Sequence, residues 1–427
     1  METPTMTWRR LKPFLALIAG LAAWMTAISA QAQNYKFKVL HTFHGNDGAL
    51  PLSILIRDEK GYLYGTTSEG GKGVCSSYGC GTAFKLDKTG KQVWLYSFNG
   101  KNGRTPAAGL LLGASGKLYG TTTFGGKIEQ VCGGSRVGGC GTVFSLDSAG
   151  KETVLYEFNG TPNGWFPEAL LVEDSAGNLY GTTPNGGAYD NAGTVFRVDN
   201  KGNEVVLYNF CSLSGCADGN SPYPGVILDA ADNLYGVTAS GGAYGAGEVF
   251  ELDASGHLTV LYSFTGSSDG GDPFSVLVAD AAGNLYGTTT DGGNDQCGGS
   301  GCGVVFEVSP GSDGTWTEKV LYTFCSLFNC ADGESPGSGP LVRDSTGNLY
   351  GTTRSGGTYD NGVIYRLDSA GNETILHDFT GGADGGFPQA GLTSDSSGDL
   401  YGTTNVGGYP CSVEKKYGCG VVFDLTP

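Results

Sequence analysis

Gly supplies 75 of the 427 residues, well over twice the usual share of about 7 per cent, while Asp, Glu, Lys and Arg together reach only 16%. That excludes a coiled coil, a helical bundle and a charged disordered tail. The Gly lacks collagen's every-third-residue period, and 39% apolar residues spread evenly can still bury a core, so many short strands joined by tight turns remain. The 42 acidic against 25 basic residues give a net charge of −17, a surface that repels nucleic acid and anionic lipid and argues against both as partners.

Residues 1–32 place Arg9, Arg10 and Lys12 before an apolar run from Phe14 to Ala30, and Ala30, Gln31 and Ala32 form the small-x-small pattern of a cleavage site. The expectation is a signal peptide and a mature chain starting at Gln33. An uncleaved anchor competes, but a run of 17 residues is short for a span. No Cys near the cut supports a lipid anchor, and no later run approaches a membrane span. A secreted or periplasmic protein of net charge −19, free of the membrane once cleaved, is therefore expected.

The next element is a lone strand, Val39 to Phe43. It is followed by a turn from Asp47 to Pro51, an apolar stretch, YGTT at Tyr64 and a strand from Ala83, after which the series repeats. YGxTxxGG stands at Tyr64, Tyr119, Tyr180, Tyr235, Tyr286, Tyr350 and Tyr401, a mean period of about 56. In step with it, VLYxF-like strands end at Phe43, Phe98, Phe158, Phe210, Phe264, Phe324 and Phe379. VFxLD-like strands begin at Ala83, Val143, Val195, Val249, Val305, Ile364 and Val422.

Each unit thus holds four short strands: the apolar stretch, NLYGTT, VFxLD and VLYxF, here the first to fourth strands. Seven such units without a break predict an all-β fold, a seven-bladed β-propeller with four-stranded blades, over 33–427 as one domain. The ends decide against a linear solenoid, which would need caps. The mature chain opens with a lone fourth strand and finishes on a third strand, Val422 to Leu425, so the two complete one blade and close the ring.

The twelve Cys fall into six neighbouring pairs: Cys75 and Cys80, Cys132 and Cys140, Cys211 and Cys216, Cys297 and Cys302, Cys325 and Cys330, Cys411 and Cys419. Spacings of four or seven residues and only four His, none near a pair, argue for local disulfides rather than zinc. Each closes a small loop, worth roughly 2 kcal/mol at best. All six lie in loops joining second to third strands or fourth to first strands. One face therefore carries every long, variable, stapled loop, and the other only uniform hairpins.

YGTT followed by GG, and the GTVFxLD strand, recurring in register over all seven units, resemble the Gloeo/Verruco (GloVer) repeat proteins, secreted bacterial chains. The blades are similar more loosely to NHL-type propellers. The resemblance implies export and a propeller-like repeat, but no reaction. Some members carry a C-terminal surface anchor that this sequence lacks.

A residue repeated in every unit builds blades, since one ligand needs one site. The turn [DN]GxxP, from Asp47 to Pro51 through Asp384 to Pro388, reads as a tight turn whose Gly takes positive φ. A calcium loop is the sharper reading, but two copies carry Asn and no Glu follows at the calcium-loop spacing. The YGTT Thr pair reads as scaffold; His41 and His377 take the Tyr place of VLYxF, while His44 and His257 lie in connections. No nucleophile elbow, HExxH, P-loop or dinucleotide fingerprint occurs, and no cofactor is expected.

The candidates are the positions where blades differ. Between YGxT and GG these include Glu69, Phe124, Asn185, Ser240, Asp291, Arg354 and Val406; inside [DN]GxxP they include Arg104, Trp165, Phe166, Asp272, Glu334 and Phe387. Exposed aromatics beside carboxylates suit a sugar or peptide. The expected ligand contacts are Phe124, Trp165, Phe166, Asp291 and Phe387, with Glu69 and Arg104. The favoured function is a non-catalytic, monomeric binding module for an extracellular glycan or protein. The alternative is a propeller enzyme such as a polysaccharide or small-molecule lyase, which a perturbed carboxylate pair at the channel mouth would favour.

Overall fold

In the computed structural model, which describes residues 35–75, 77–127, 132, 138–413 and 416–427, the strands Ile56–Arg57, Leu63–Thr67, Thr82–Leu86 and Gln92–Ser97 pair antiparallel in chain order. The expected signal peptide lies outside the described residues. Six further sheets repeat that ladder, and together the seven blades form a ring, an all-β seven-bladed propeller. Among the described residues only Ser214–Cys216 and Phe328–Cys330 are helical, one 3-10 turn each. No helix there is long and apolar enough to cross a membrane.

The ring closes as the chain ends imply. Lys36–Thr42 is the outer strand of the seventh blade, pairing with Val421–Thr426 from Lys36 opposite Thr426 to Thr42 opposite Val421. Every blade carries a register shift between its third and fourth strands, between Val39 and His41 in this one. An extra residue there tightens the strand twist.

Neighbouring blades are joined by aromatic pairs. The Phe of each VLYxF strand meets the aromatic of the next blade's VFxLD strand, as in Phe98 with Phe144 at 5.1 Å, Phe264 with Phe306 at 5.0 Å and, across the closure, Phe43 with Phe84 at 5.2 Å. These rings are essentially fully buried. Edge-to-face geometry adds about 0.5–1.5 kcal/mol per pair to the burial term. The packing also explains the Gly of YGTT: a Cβ on Gly65 would meet Phe84 Cζ at 2.7 Å and Leu55 at 2.9 Å.

The Thr pair is scaffold. The first Thr reaches into the following blade in four copies, Thr66, Thr121, Thr288 and Thr403, with Thr66 Oγ1 donating to Ala108 O at 2.8 Å and Thr403 Oγ1 to Pro51 O at 2.9 Å. The second Thr donates to the carbonyl two residues on, as Thr67 to Glu69 O and Thr404 to Val406 O do. All six Cys pairs are disulfides between the expected neighbours, and no described Cys is free.

Candidate functional site

The [DN]GxxP turn and the loop after YGTT pair with each other through their backbones. Arg104 N donates to Phe124 O at 2.8 Å, Trp165 N to Asn185 O at 3.0 Å and Gly386 N to Val406 O at 3.1 Å, while Gly271 stands opposite Asp291, Glu334 opposite Ser355 and Ala49 opposite Glu69. Both sets of variable residues therefore stand side by side on one face. The residue before the turn's Pro has positive φ in every blade: Leu50, Thr105, Phe166, Ser221, Asp272, Ser335 and Phe387. Backbone strain of this kind, about 1–3 kcal/mol per non-Gly residue, needs a surrounding structure that enforces it.

The candidates separate into groups. Arg104 lies over the Phe124 ring at 4.9 Å, Phe124 meets Phe166 at 4.6 Å and Phe166 meets Trp165 at 4.5 Å, a continuous run from blade 2 into blade 3. Burial holds the Arg104 guanidinium below its usual range. Trp165 is only 8% exposed, and its Nε1 donates to Asn191 Oδ1 at 2.8 Å, so the indole serves the loop before any ligand. Glu69, Asp291 and Phe387 belong to blades 1, 5 and 7.

Directly after each turn Pro, the inner strands converge on the central channel. Here Leu52, Ala107, Glu168, Tyr223, Phe274 and Gln389 line a cavity of about 180 Å³. These residues differ in every blade. Burial pushes the Glu168 carboxyl up, opposed by the Thr123 hydroxyl beside it. Tyr223 is raised by burial, then by the charges of Glu168 and Asp272. Its ring stands 4.9 Å from that of Phe274. Gln389 Oε1 accepts from Asn405 Nδ2 at 2.6 Å.

Tyr223 also borders a second, wider cleft of about 580 Å³ that includes Asp272, Asp291, Ser221 and Ser240. Asp272 accepts from Thr290 Oγ1 at 3.0 Å, yet burial still raises its carboxyl. Asp291 is raised by burial, then by the negative charge of Asp272. Two poorly solvated carboxylates and a tyrosine therefore face one cleft that opens beside the channel. Such a place takes a hydrogen-bond donor, a cation or a proton.

Glu168, Tyr223, Phe274 and Gln389 escaped the reading of the sequence, although their signal was present: the position after the invariant Pro varies as much as those inside the turn. The hairpin face, expected to be uniform, carries a cleft of its own. It measures about 570 Å³, lies between blades 6 and 7, and includes Tyr35, Arg343, Arg366 and Asp395.

The model of the Gloeobacter/Verrucomicrobia repeat matches residues 20–216, 128–327 and 295–427. No curated protein matches the chain. Among solved structures, the extracellular domain of a one-component system from B. thetaiotaomicron is similar at 14% identity and TM-score 0.51, covering 92% of this chain and 41% of that one. A luciferin-regenerating enzyme is similar at 13% identity and TM-score 0.42, covering 92% and 95%. A gluconolactonase-like protein is similar at 14% identity and TM-score 0.40, covering 67% and 80%. The first of these likenesses speaks to the fold alone, and the other two carry no argument.

Proposed function

The chain belongs to the Gloeobacter/Verrucomicrobia repeat family, and from that premise we propose that it is an exported, non-catalytic binding module for an extracellular glycan or protein. Its ligand sits at the channel mouth on the stapled face. The observation that carries this reading is the convergence of unlike residues from four different blades, Glu168, Tyr223, Phe274 and Gln389, on one cavity. A ring of similar blades recognises an asymmetric ligand only where the blades differ. Carboxylate, amide and aromatic groups together match a polyhydroxylated ligand, with hydroxyls to the polar groups and a sugar face to the rings. Six disulfides fit an oxidising compartment and fix the loops in advance, which lowers the ordering cost of binding.

Glycan-array screening of the mature protein tests this, followed by Glu168→Gln and Tyr223→Ala. Each substitution should weaken a discovered ligand at least tenfold. Affinities within about twofold of the parent, roughly 0.4 kcal/mol, would place the ligand elsewhere.

Asp272 and Asp291 favour a second reading, a lyase or other enzyme in which one of the two is the general base. Their carboxyls are both raised, and the charge of the first acts on the second. Turnover of a polysaccharide that Asp272→Asn abolishes would establish it; mere retention of the polymer would support the binding module.

A further inference from the structure

Two layers of side chains face the channel at its mouth. Leu52 and Ile54, Glu168 and Leu170, and Phe274 and Val276 stand two residues apart in blades 1, 3 and 5, and all six line the cavity of about 180 Å³. The two-residue period of extended chain puts both members of each pair on one side. Glu168, Tyr223, Phe274 and Gln389 form the upper layer, whereas Ile54, Leu170 and Val276 beneath it form an apolar floor. Gly109 lets that floor close: a Cβ there would meet Ile54 Cγ2 at 2.6 Å and Leu170 Cδ2 at 2.9 Å, so side chains of blades 1 and 3 converge over the Gly of blade 2.

The charge around this mouth has one sign. Burial, then the charges of Glu168 from blade 3 and Asp272 from blade 5, raise the Tyr223 hydroxyl, so both carboxyls stand near it. Among the described residues no Lys, Arg or His lines the cavity or the wider cleft that shares Tyr223 with it. Poorly solvated carboxylates without a cation beside them leave that cation for a ligand to supply. We propose that the channel mouth takes the end of a glycan chain bearing a free amine, a terminal amino sugar whose ammonium donates to the Glu168 carboxylate. This rests on the proposed glycan-binding role of the channel mouth and names the ligand class of that site.

The amine and the sugar ring divide the cavity between them. With the ammonium at Glu168, the C–H face of the ring lies against Tyr223 and Phe274, whose rings stand 4.9 Å apart and attract a cation as well. Gln389 Oε1 already accepts from Asn405 Nδ2, so its amide nitrogen is the donor it offers to a sugar hydroxyl. An acetyl group on the amine removes the charge and leaves the Glu168 carboxylate unpaired on desolvation, which costs more than the lost contact. The cavity is smaller than the roughly 300–1,000 Å³ of pockets for drug-sized ligands, and Ile54 and Leu170 close its floor. One terminal residue therefore enters, and the rest of the chain runs out over the face.

The test titrates the mature protein calorimetrically with trisaccharides of β-1,4-linked N-acetylglucosamine, either fully acetylated or with a single free amine on the first, middle or last residue, and with a trialanine peptide. One of the two end-amine forms should bind at least tenfold more tightly than the fully acetylated form, and the middle-amine form no better than it. Glu168→Gln should erase that preference, whereas Asp313→Asn, in a hairpin between Val304–Pro310 and Trp316–Thr323 on the opposite face, should leave it. Equal binding of acetylated and amine forms, lost in Tyr223→Ala, would overturn the inference while the glycan-binding role stands. An equal gain from the middle amine, or a preference that survives Glu168→Gln, would overturn it too, the second by assigning the amine to the acidic surface at large. Capture of the peptide alone would replace the glycan with a protein N-terminus. Binding of none of these probes would overturn the inference, and a blank glycan array beside it the glycan-binding role as well.

Discussion

Asn163 Nδ2 donates to Glu204 Oε2 at 2.5 Å, joining the turn that enters blade 3 to that blade's outer strand, and Tyr156 hydroxyl donates to the same oxygen at 3.4 Å. Asn102, Tyr96 and Glu152 repeat the arrangement one blade earlier. Where the turn carries Asp instead, two carboxyls meet. Burial, then Asp269, pushes Glu318 to about 7, and burial, then Asp332, pushes Glu373 to about 7. Where the aromatic is His, the turn Asp pairs with it, as in His41 with Asp47 at 3.1 Å and His377 with Asp384 at 3.3 Å. Turn Asx and strand aromatic thus form a structural pair in every blade, which accounts for the recurrent Asp-Gly without a bound ion.

Stability should fall across neutral pH. The fold holds Glu318 and Glu373 protonated, so their contribution is complete below the ordinary value of 4.5 and is lost as pH rises through about 7. His377, whose pKa burial lowers, responds below its ordinary 6.5 and does not oppose the trend above it. Urea midpoints should therefore decline from pH 6.5 to 8.5, and Glu318→Gln with Glu373→Gln should make the decline shallower near pH 7, leaving the share of Glu248, whose carboxyl is raised to about 9. A midpoint that is flat or rises in the parent protein would refute this.

Glu248 presents the sharpest case. It is fully buried, neither carboxyl oxygen has a hydrogen-bond partner, and burial, then Asp218, raises it to about 9. The other blades carry Thr82, Thr142, Thr194, Val304, Val363 and Val421 at the same place. Glu248→Thr should stabilise the protein at pH 8 by about 1–3 kcal/mol, the usual cost of an unsatisfied buried polar group. Chemical denaturation decides it, and a loss of stability would mean that the carboxyl has a role the fold does not reveal.

Ring closure makes the N-terminal strand as costly to damage as an internal one. Phe43 is 1% exposed and packs on Phe84 just as Phe264 packs on Phe306. Phe43→Ala and Phe264→Ala should each cost about 3–5 kcal/mol. A much smaller cost for Phe43→Ala would mean that the seventh blade contributes little to the ring; removing residues 33–45 should destabilise the whole propeller.

The fold was legible because repetition multiplies a weak signal: one YGTT says little, but seven in register with seven VLYxF strands leave one closed architecture. The disulfides were legible because their spacing is local. The cavity was not, because Glu168, Tyr223 and Phe274 lie in three blades, and only the ring brings them together. Trp165 shows the limit from the other side. As a variable aromatic in a loop it looked like a ligand platform, but its neighbour Asn191, 26 residues on, draws it into the loop's own packing.

Trp165 and Glu168, three residues apart, should therefore respond in opposite ways to substitution. Trp165 is buried and its indole hydrogen bond is internal, so Trp165→Ala should cost about 3–5 kcal/mol of stability. Any loss of binding in that variant would then follow from a disordered loop. Glu168 faces the cavity with a carboxyl that burial raises, so Glu168→Gln keeps the shape, removes the poorly solvated charge and should leave stability equal or slightly higher. Melting curves of the two variants, measured beside their affinities for a ligand found by screening, separate scaffold from contact. If Trp165→Ala melts with the parent while Glu168→Gln binds like it, the ligand lies on the Arg104, Phe124 and Phe166 run instead of in the channel.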